Sequence, residues 1–167
     1  MNHYKSWSGL EKQLSNNLCL PLRRRVSYFL TRYHDVHNAY GRAAIRYDGK
    51  ELVTFSWIEQ YHQENDLARL AMQAPDLPFE ELENLMKPSW DALCTYHEQD
   101  FLAAALEYRS MNMQQALASD NYIIRILAVL DKRVGRRALA QIAASKEYEH
   151  YPAWVRQFYE LRLSLEE

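Results

Sequence analysis

Glycine and proline are scarce in this chain, 4 and 5 among 167 residues, which leaves little material for long flexible or proline-rich linkers. Cysteine is scarcer still. Cys19 and Cys94 stand 75 positions apart, outside any CxxC unit; that pattern belongs to thiols in a reducing compartment rather than to a disulfide framework. No apolar run approaches the ~18 residues of a membrane span. The opening Met1-Asn2-His3-Tyr4-Lys5-Ser6-Trp7 lacks the apolar core of a signal peptide. These absences point to a cytoplasmic chain with no membrane partner. GxSxG, GxGxxG and GxxxxGK[ST] are also missing, so neither a hydrolase elbow nor a nucleotide loop has support, and no cofactor is expected.

What is present describes a globular chain: 48% hydrophobic, 13% aromatic and 25% charged residues. Its length fits a single domain, 1–167, able to bury a core without disulfides or metal. The net charge of −2 is unevenly spread. Residues 1–60 carry 9 Lys/Arg against 5 Asp/Glu, residues 61–120 carry 3 against 11, and residues 121–167 carry 8 against 6. A basic and an acidic face can pair within the fold or steer a partner.

Ser8 and Glu11 have capping-box spacing, and Leu10, Leu14 and Leu18 recur every four residues, predicting a helix over 9–19 that ends before Pro21. From Arg25 the period becomes two. Val26, Tyr28 and Leu30 share one face and Phe29, Thr31 and Tyr33 the other, so this strand is expected to be central or covered on both sides. Gly41 opens a second strand. Asp48-Gly49 accepts the positive φ angles of a two-residue turn, and Lys50 to Phe55 makes the third strand of an antiparallel meander.

Ser56 and Glu59 form another capping-box pair for a helix to about Gln73. Pro75 and Pro78 break it, Phe79 to Lys87 is helical, and Lys87-Pro88-Ser89 breaks the chain again. Helices follow at Trp90–Tyr96, from a cap at Asp100, at Met113–Ala118, at Tyr122–Val134 with Gly135 as a left-handed C-cap, at Arg136–Ser145 and from Pro152 onward. The class is therefore α+β: a three-stranded antiparallel sheet with an N-terminal helix, packed with a C-terminal multi-helix layer. Its subregions are 1–57, 58–88 and 89–165. Ile123-Ile124-Arg125 resembles one HEAT-type helix, but a single copy makes no array.

Candidate chemistry gathers at one end of the sheet. Arg32, His34, Asp35, His37 and Arg42 are the candidate binding residues for a phosphate-containing or nucleic-acid substrate. The His34-Asp35 pair ends a strand rather than sitting on a helix with further ligands downstream, so no metal site is expected. Asp48-Gly49-Lys50-Glu51 offers acids and a lysine but lacks an acid-x-Lys unit on the next strand, and turn geometry accounts for Asp48. Cys94 and His97 on one helix read as a buried thiol beside a surface imidazole. Arg23-Arg24-Arg25 and Lys132, Arg133, Arg136 and Arg137, with tyrosines between them, leave nucleic acid as a partner to consider. Yet a pI near 6.3 lies below the footprint of a dedicated nucleic-acid binder.

Trp7-Ser8 with Leu10, Arg25-Val26, Thr31-Arg32-Tyr33, Gly41-Arg42, Asp48-Gly49-Lys50-Glu51, the stretch from Ile123 to Arg137 and the ending Trp154 to Leu163 together resemble a family of small bacterial proteins with no assigned activity. The resemblance is weakest over 60–90. It implies a cytosolic bacterial origin and brings no catalytic or ligand residues. A non-catalytic binding or accessory protein, with another protein as partner, is the leading expectation; an enzyme using the Arg/His cluster is the alternative.

Overall fold

The computed structural model describes residues 7–31 and 41–165. Helix α1 (Trp7–Asn17) precedes strands β1 (Val26–Thr31), β2 (Arg42–Tyr47) and β3 (Lys50–Phe55). Helices α2 (Trp57–Gln73) and α3 (Phe79–Ala92) follow, then α4 (Glu98–Tyr108), α5 (Met113–Leu117), α6 (Tyr122–Leu130), α7 (Arg136–Ala143) and α8 (Ala153–Ser164). The sheet is antiparallel in the order β1-β2-β3. At the turn joining β2 to β3, Asp48 has φ 49° and Gly49 φ 79°, the pair of positive angles that matches the right-handed strand twist.

The inner face of the sheet presents Val26, Tyr28, Ala43, Ile45, Val53 and Phe55 to the helices, all buried. α4 crosses β2 and β3, α1 lies against β1, and α6 packs against α4, α5 and α8. Ile123 through Leu130 are buried in unbroken succession, so α6 is the hub around which α4, α5 and α8 assemble. Phe55 and Phe101 stack with centroids 5.0 Å apart, and Trp7 and Trp154 meet them edge-on. Each fully buried Phe or Leu contributes roughly 1.5–3 kcal/mol of transfer free energy.

Two polar devices hold the hub in register. The Cys19 amide donates to Leu130 O at 3.0 Å and the Lys132 amide to Asn17 O at 2.7 Å, sewing the end of α1 to the end of α6. Asp131, 1% exposed, accepts from the Arg133 amide at 2.8 Å, from the Arg133 guanidinium at 2.9 and 2.7 Å, and from the Tyr108 hydroxyl.

Several sequence expectations are corrected. β1 is an edge strand, not a central one; its outer-face Ser27 is exposed and Phe29 only half-buried. α1 begins at Trp7, so Ser8 lies inside the helix rather than before it. α3 runs through Pro88 to Ala92 instead of breaking there. Proline's fixed φ is one a helix accepts, and the loss is the hydrogen bond to the carbonyl four residues back. Asp100 is the third residue of α4, its carboxylate taking the His97 amide at 2.8 Å. α6 stops at Leu130 because Asp131 turns extended. Gly135 then caps the start of α7 at φ −79° rather than ending a helix in the left-handed region.

Candidate functional site

Of the five candidate binding residues, Arg32, His34, Asp35 and His37 lie outside the described residues. Arg42 is described and is already committed. On the outer face of the sheet its Nε donates to Glu59 at the start of α2 at 2.5 Å, and its terminal nitrogen to Glu51 on β3. Arg46, two same-face positions along β2, shares Glu51 at 3.1 Å. Both guanidiniums cover the Phe29 ring, at 5.8 and 4.4 Å, so they pack as well as pair. Hydrogen bonds from Arg42, then from Arg46, hold the Glu51 carboxyl below its ordinary range against the opposing effect of burial. The arrangement clamps β2, β3 and α2 together, and carboxylates occupy the guanidinium that an anionic substrate would need.

The other sequence candidates disperse. Arg25 is bidentate to Asp48, with contacts of 3.0 and 2.6 Å, and depresses that carboxyl below its usual value. Arg133 belongs to Asp131, and Arg136 donates to Leu165 O at 2.6 Å. Arg23, Arg24 and Lys132 do converge, across an open depression beside Ser15 and Asn16. Cys94 and His97 sit in the connection between α3 and α4, not on one helix. The His97 ring meets Gln60 at 3.2 Å, and burial pushes the Cys94 thiol up to about 12, the opposite of nucleophile activation. Among the described residues no group of three His, Cys, Asp or Glu side chains stands close enough to hold a metal ion.

A larger concavity lies elsewhere, at the edge of β3 that no described strand pairs with. The cleft has a volume of about 760 Å³. One wall is β3 itself, Glu51 through Thr54; the other is the α2 face carrying Glu59, Gln63, Asp66 and Leu70 at helical spacing. Leu93, Cys94 and Trp154 line its apolar side. Gln157 of α8 donates through Nε2 to Leu52 O at 2.7 Å, which fixes α8 along the same edge.

The outer wall belongs to a helical hairpin whose apolar residues are largely unburied. Of nine exposed large hydrophobic side chains among the described residues, eight fall between Trp57 and Leu85; Met72 and Phe79 are each 78% exposed. No described residue of α2 is buried, whereas Met86 of α3 is. Ala68, Ala71, Met86 and Leu93 border a second depression where the two helices meet the 93–95 connection. The sequence signal for this hairpin was thin. Trp57, Ile58, Tyr61, Leu70 and Met72 make no single stripe, so the Ser56–Glu59 capping pair marked a helix and no periodicity marked a surface. The edge position of β3 depends on strand order, a non-local property.

Residues 6–163 match the model of the SF0329 protein family, and the chain belongs to that family. No curated protein and no solved structure matches it. Among the described residues no helix is long and apolar enough to cross a membrane.

Proposed function

We propose that this chain is a non-catalytic accessory protein of the bacterial cytoplasm that binds another protein through the α2–α3 hairpin and the cleft beside β3. One observation carries the reading: eight of the nine exposed large hydrophobic side chains among the described residues are concentrated in one hairpin. Scattered apolar residues on a surface need no explanation, but a concentration of this kind marks an interaction site. Aromatic and methionine side chains such as Trp57, Tyr61, Met72 and Phe79 are the types enriched at protein interfaces. The hairpin is also acidic. Between residues 57 and 87, Glu59, Glu64, Asp66, Asp76, Glu80, Glu81 and Glu83 face only Arg69 and Lys87, a net −5, which disfavours an anionic lipid or nucleic-acid surface and favours a basic one. Both cysteines are thiols, in keeping with a reducing compartment.

Site-specific cross-linking tests the reading. A photo-reactive phenylalanine analogue at Phe79 is expected to give a discrete protein adduct in the native bacterium. Leu70→Lys, at an exposed position, should reduce that adduct without lowering the melting temperature. The reading fails if Phe79 yields no adduct above the background given by an analogue at Arg24.

A further inference from the structure

β3 is the last strand of the sheet, and α2 stands off from it instead of packing down on it. The four residues Glu51–Thr54 all border the intervening cleft. A strand of four residues spans roughly 13 Å. The facing α2 wall, from Glu59 to Leu70, spans roughly 16 Å at 1.5 Å per residue. The two walls thus match in length, and the gap between an exposed strand edge and a helix is the shape in which an extended peptide adds as a further strand.

The walls also differ in chemistry. Trp154, Leu93 and Cys94 are apolar on one side, while Gln60, Gln63 and Asp66 face them from α2. Successive residues of a strand point to opposite sides, so an inserted strand would alternate in kind. Arg42 and Arg46 neutralise Glu51 and Glu59 on the outer face of the sheet. Asp66 remains on the cleft wall, its ion pair with Arg69 being a weak one at 3.5 Å between side chains 69% and 72% exposed, and no described Lys or Arg lines the cleft. One outward carbonyl, Leu52 O, already takes an amide donor from Gln157 at 2.7 Å, the kind of donor that a peptide N–H replaces.

We propose that the cleft between β3 and α2 binds an extended protein segment as a fourth strand, with apolar side chains toward Trp154 and Leu93 and Lys or Arg side chains toward Asp66. This inference rests on the protein-binding reading above and names the form its partner takes.

The probe is a fluorescein-labelled Lys-Val-Lys-Leu-Lys-Val peptide, read by anisotropy with the full chain. Two N-methylated versions, blocking the amides of odd or of even residues, each disable one edge of the peptide. The expected result is at least tenfold weaker binding for one of them and little change for the other. Exchange at the Glu51–Thr54 amides should slow in the complex, and Asp66→Lys should weaken binding several-fold while the protein stays folded. Equal binding of both N-methylated peptides overturns strand addition, as does equal binding of a peptide with Glu in place of Lys. If no peptide binds but the Phe79 adduct persists, strand addition is wrong and protein binding stands; if both are absent, both fall. Self-association that competes with the peptide, or co-sedimentation with phosphatidylcholine vesicles that does so, would make a second copy or a membrane the occupant and overturn the proposal.

Discussion

Arg42 on the central strand donates its Nε to Glu59, in the first turn of α2, across 2.5 Å. That contact explains why Ser56 and Glu59 form only half of a capping box. Ser56 Oγ accepts the Glu59 amide at 3.3 Å, while the Glu59 carboxylate turns away to the sheet. Since α2 contributes no described buried residue, this ion pair is a principal anchor of the outer wall of the cleft.

Arg42→Ala is therefore expected to loosen α2 more than it destabilises the protein. The pair is partly exposed, so its loss should cost only about 0.5–1 kcal/mol globally. Amide exchange over residues 57–70 should nonetheless accelerate several-fold, with exchange in α6 unchanged. Uniform acceleration across both helices would show that Arg42 supports the whole fold rather than the position of α2.

Asp131 predicts an acid-dependent stability. Burial alone would raise its carboxyl, but hydrogen bonds from Arg133 and Tyr108 outweigh it and hold the group below its ordinary value. A depressed folded-state pKa contributes stability that is complete above the unfolded value, about 3.9, and is lost as pH falls through the folded value. Asp131→Ala removes the acceptor for Tyr108 and Arg133 and is expected to cost about 2–4 kcal/mol at neutral pH. Thermal melts should show a gap between wild type and variant that is constant from about pH 7 to 5 and narrows below about pH 4. A gap that persists undiminished to about pH 3 would contradict this origin.

Cys94 should be a slow thiol despite lining a cleft. With its pKa pushed up to about 12 by burial, its thiolate fraction at pH 8 is on the order of a thousandth of that of a free cysteine with a pKa near 8.5. Alkylation by iodoacetamide in the native state should be correspondingly slow and should reach the unfolded-chain rate in denaturant. Labelling at the free-cysteine rate in the native protein would show that the cleft opens far enough to hydrate the thiol.

These contrasts indicate which features the sequence could carry. The Asp48-Gly49 hairpin and the Ser56 cap were legible because each depends on neighbours within a few residues: positive φ at a turn, or a hydroxyl before a helix. The extent of α2 was legible for the same reason. The positions of edges and partners were not. β1 reads as doubly apolar, yet it lies outermost because pairing order is set by the whole sheet. Its outer-face Phe29 is covered by Arg42 and Arg46 from the next strand. Arg42 stood out as a charged residue at a strand start, but its partners Glu51 and Glu59 follow only from the register that brings β3 and α2 beside it. Gly135 drew a helix-end reading from composition. The helix ends earlier, where the Asp131 carboxylate captures the Arg133 amide at 2.8 Å.

Gly41 provides the sharpest steric test. A Cβ built there would stand 2.6 Å from the carbonyl oxygen of Thr31 and 2.6 Å from Cγ of Glu98. The first is backbone of the neighbouring strand, and the second belongs to a buried side chain of α4, so neither can retreat without moving its element. Gly41→Ala should consequently cost about 1–3 kcal/mol through overpacking, lowering the melting temperature by several degrees for a chain of this size. Gly135→Ala is the matched control. Nothing lies within 4 Å of its added Cβ, and its φ of −79° is open to any residue, so the change should cost no more than about 1 kcal/mol at a helix N-cap. Thr31 pairs with Arg42 in the ladder, so displacement by the new methyl should also speed amide exchange at the β1–β2 junction. Equal melting temperatures for the two variants would mean that the sheet and α4 separate readily at this point, and that α4 does not set how closely Gly41 and Thr31 approach.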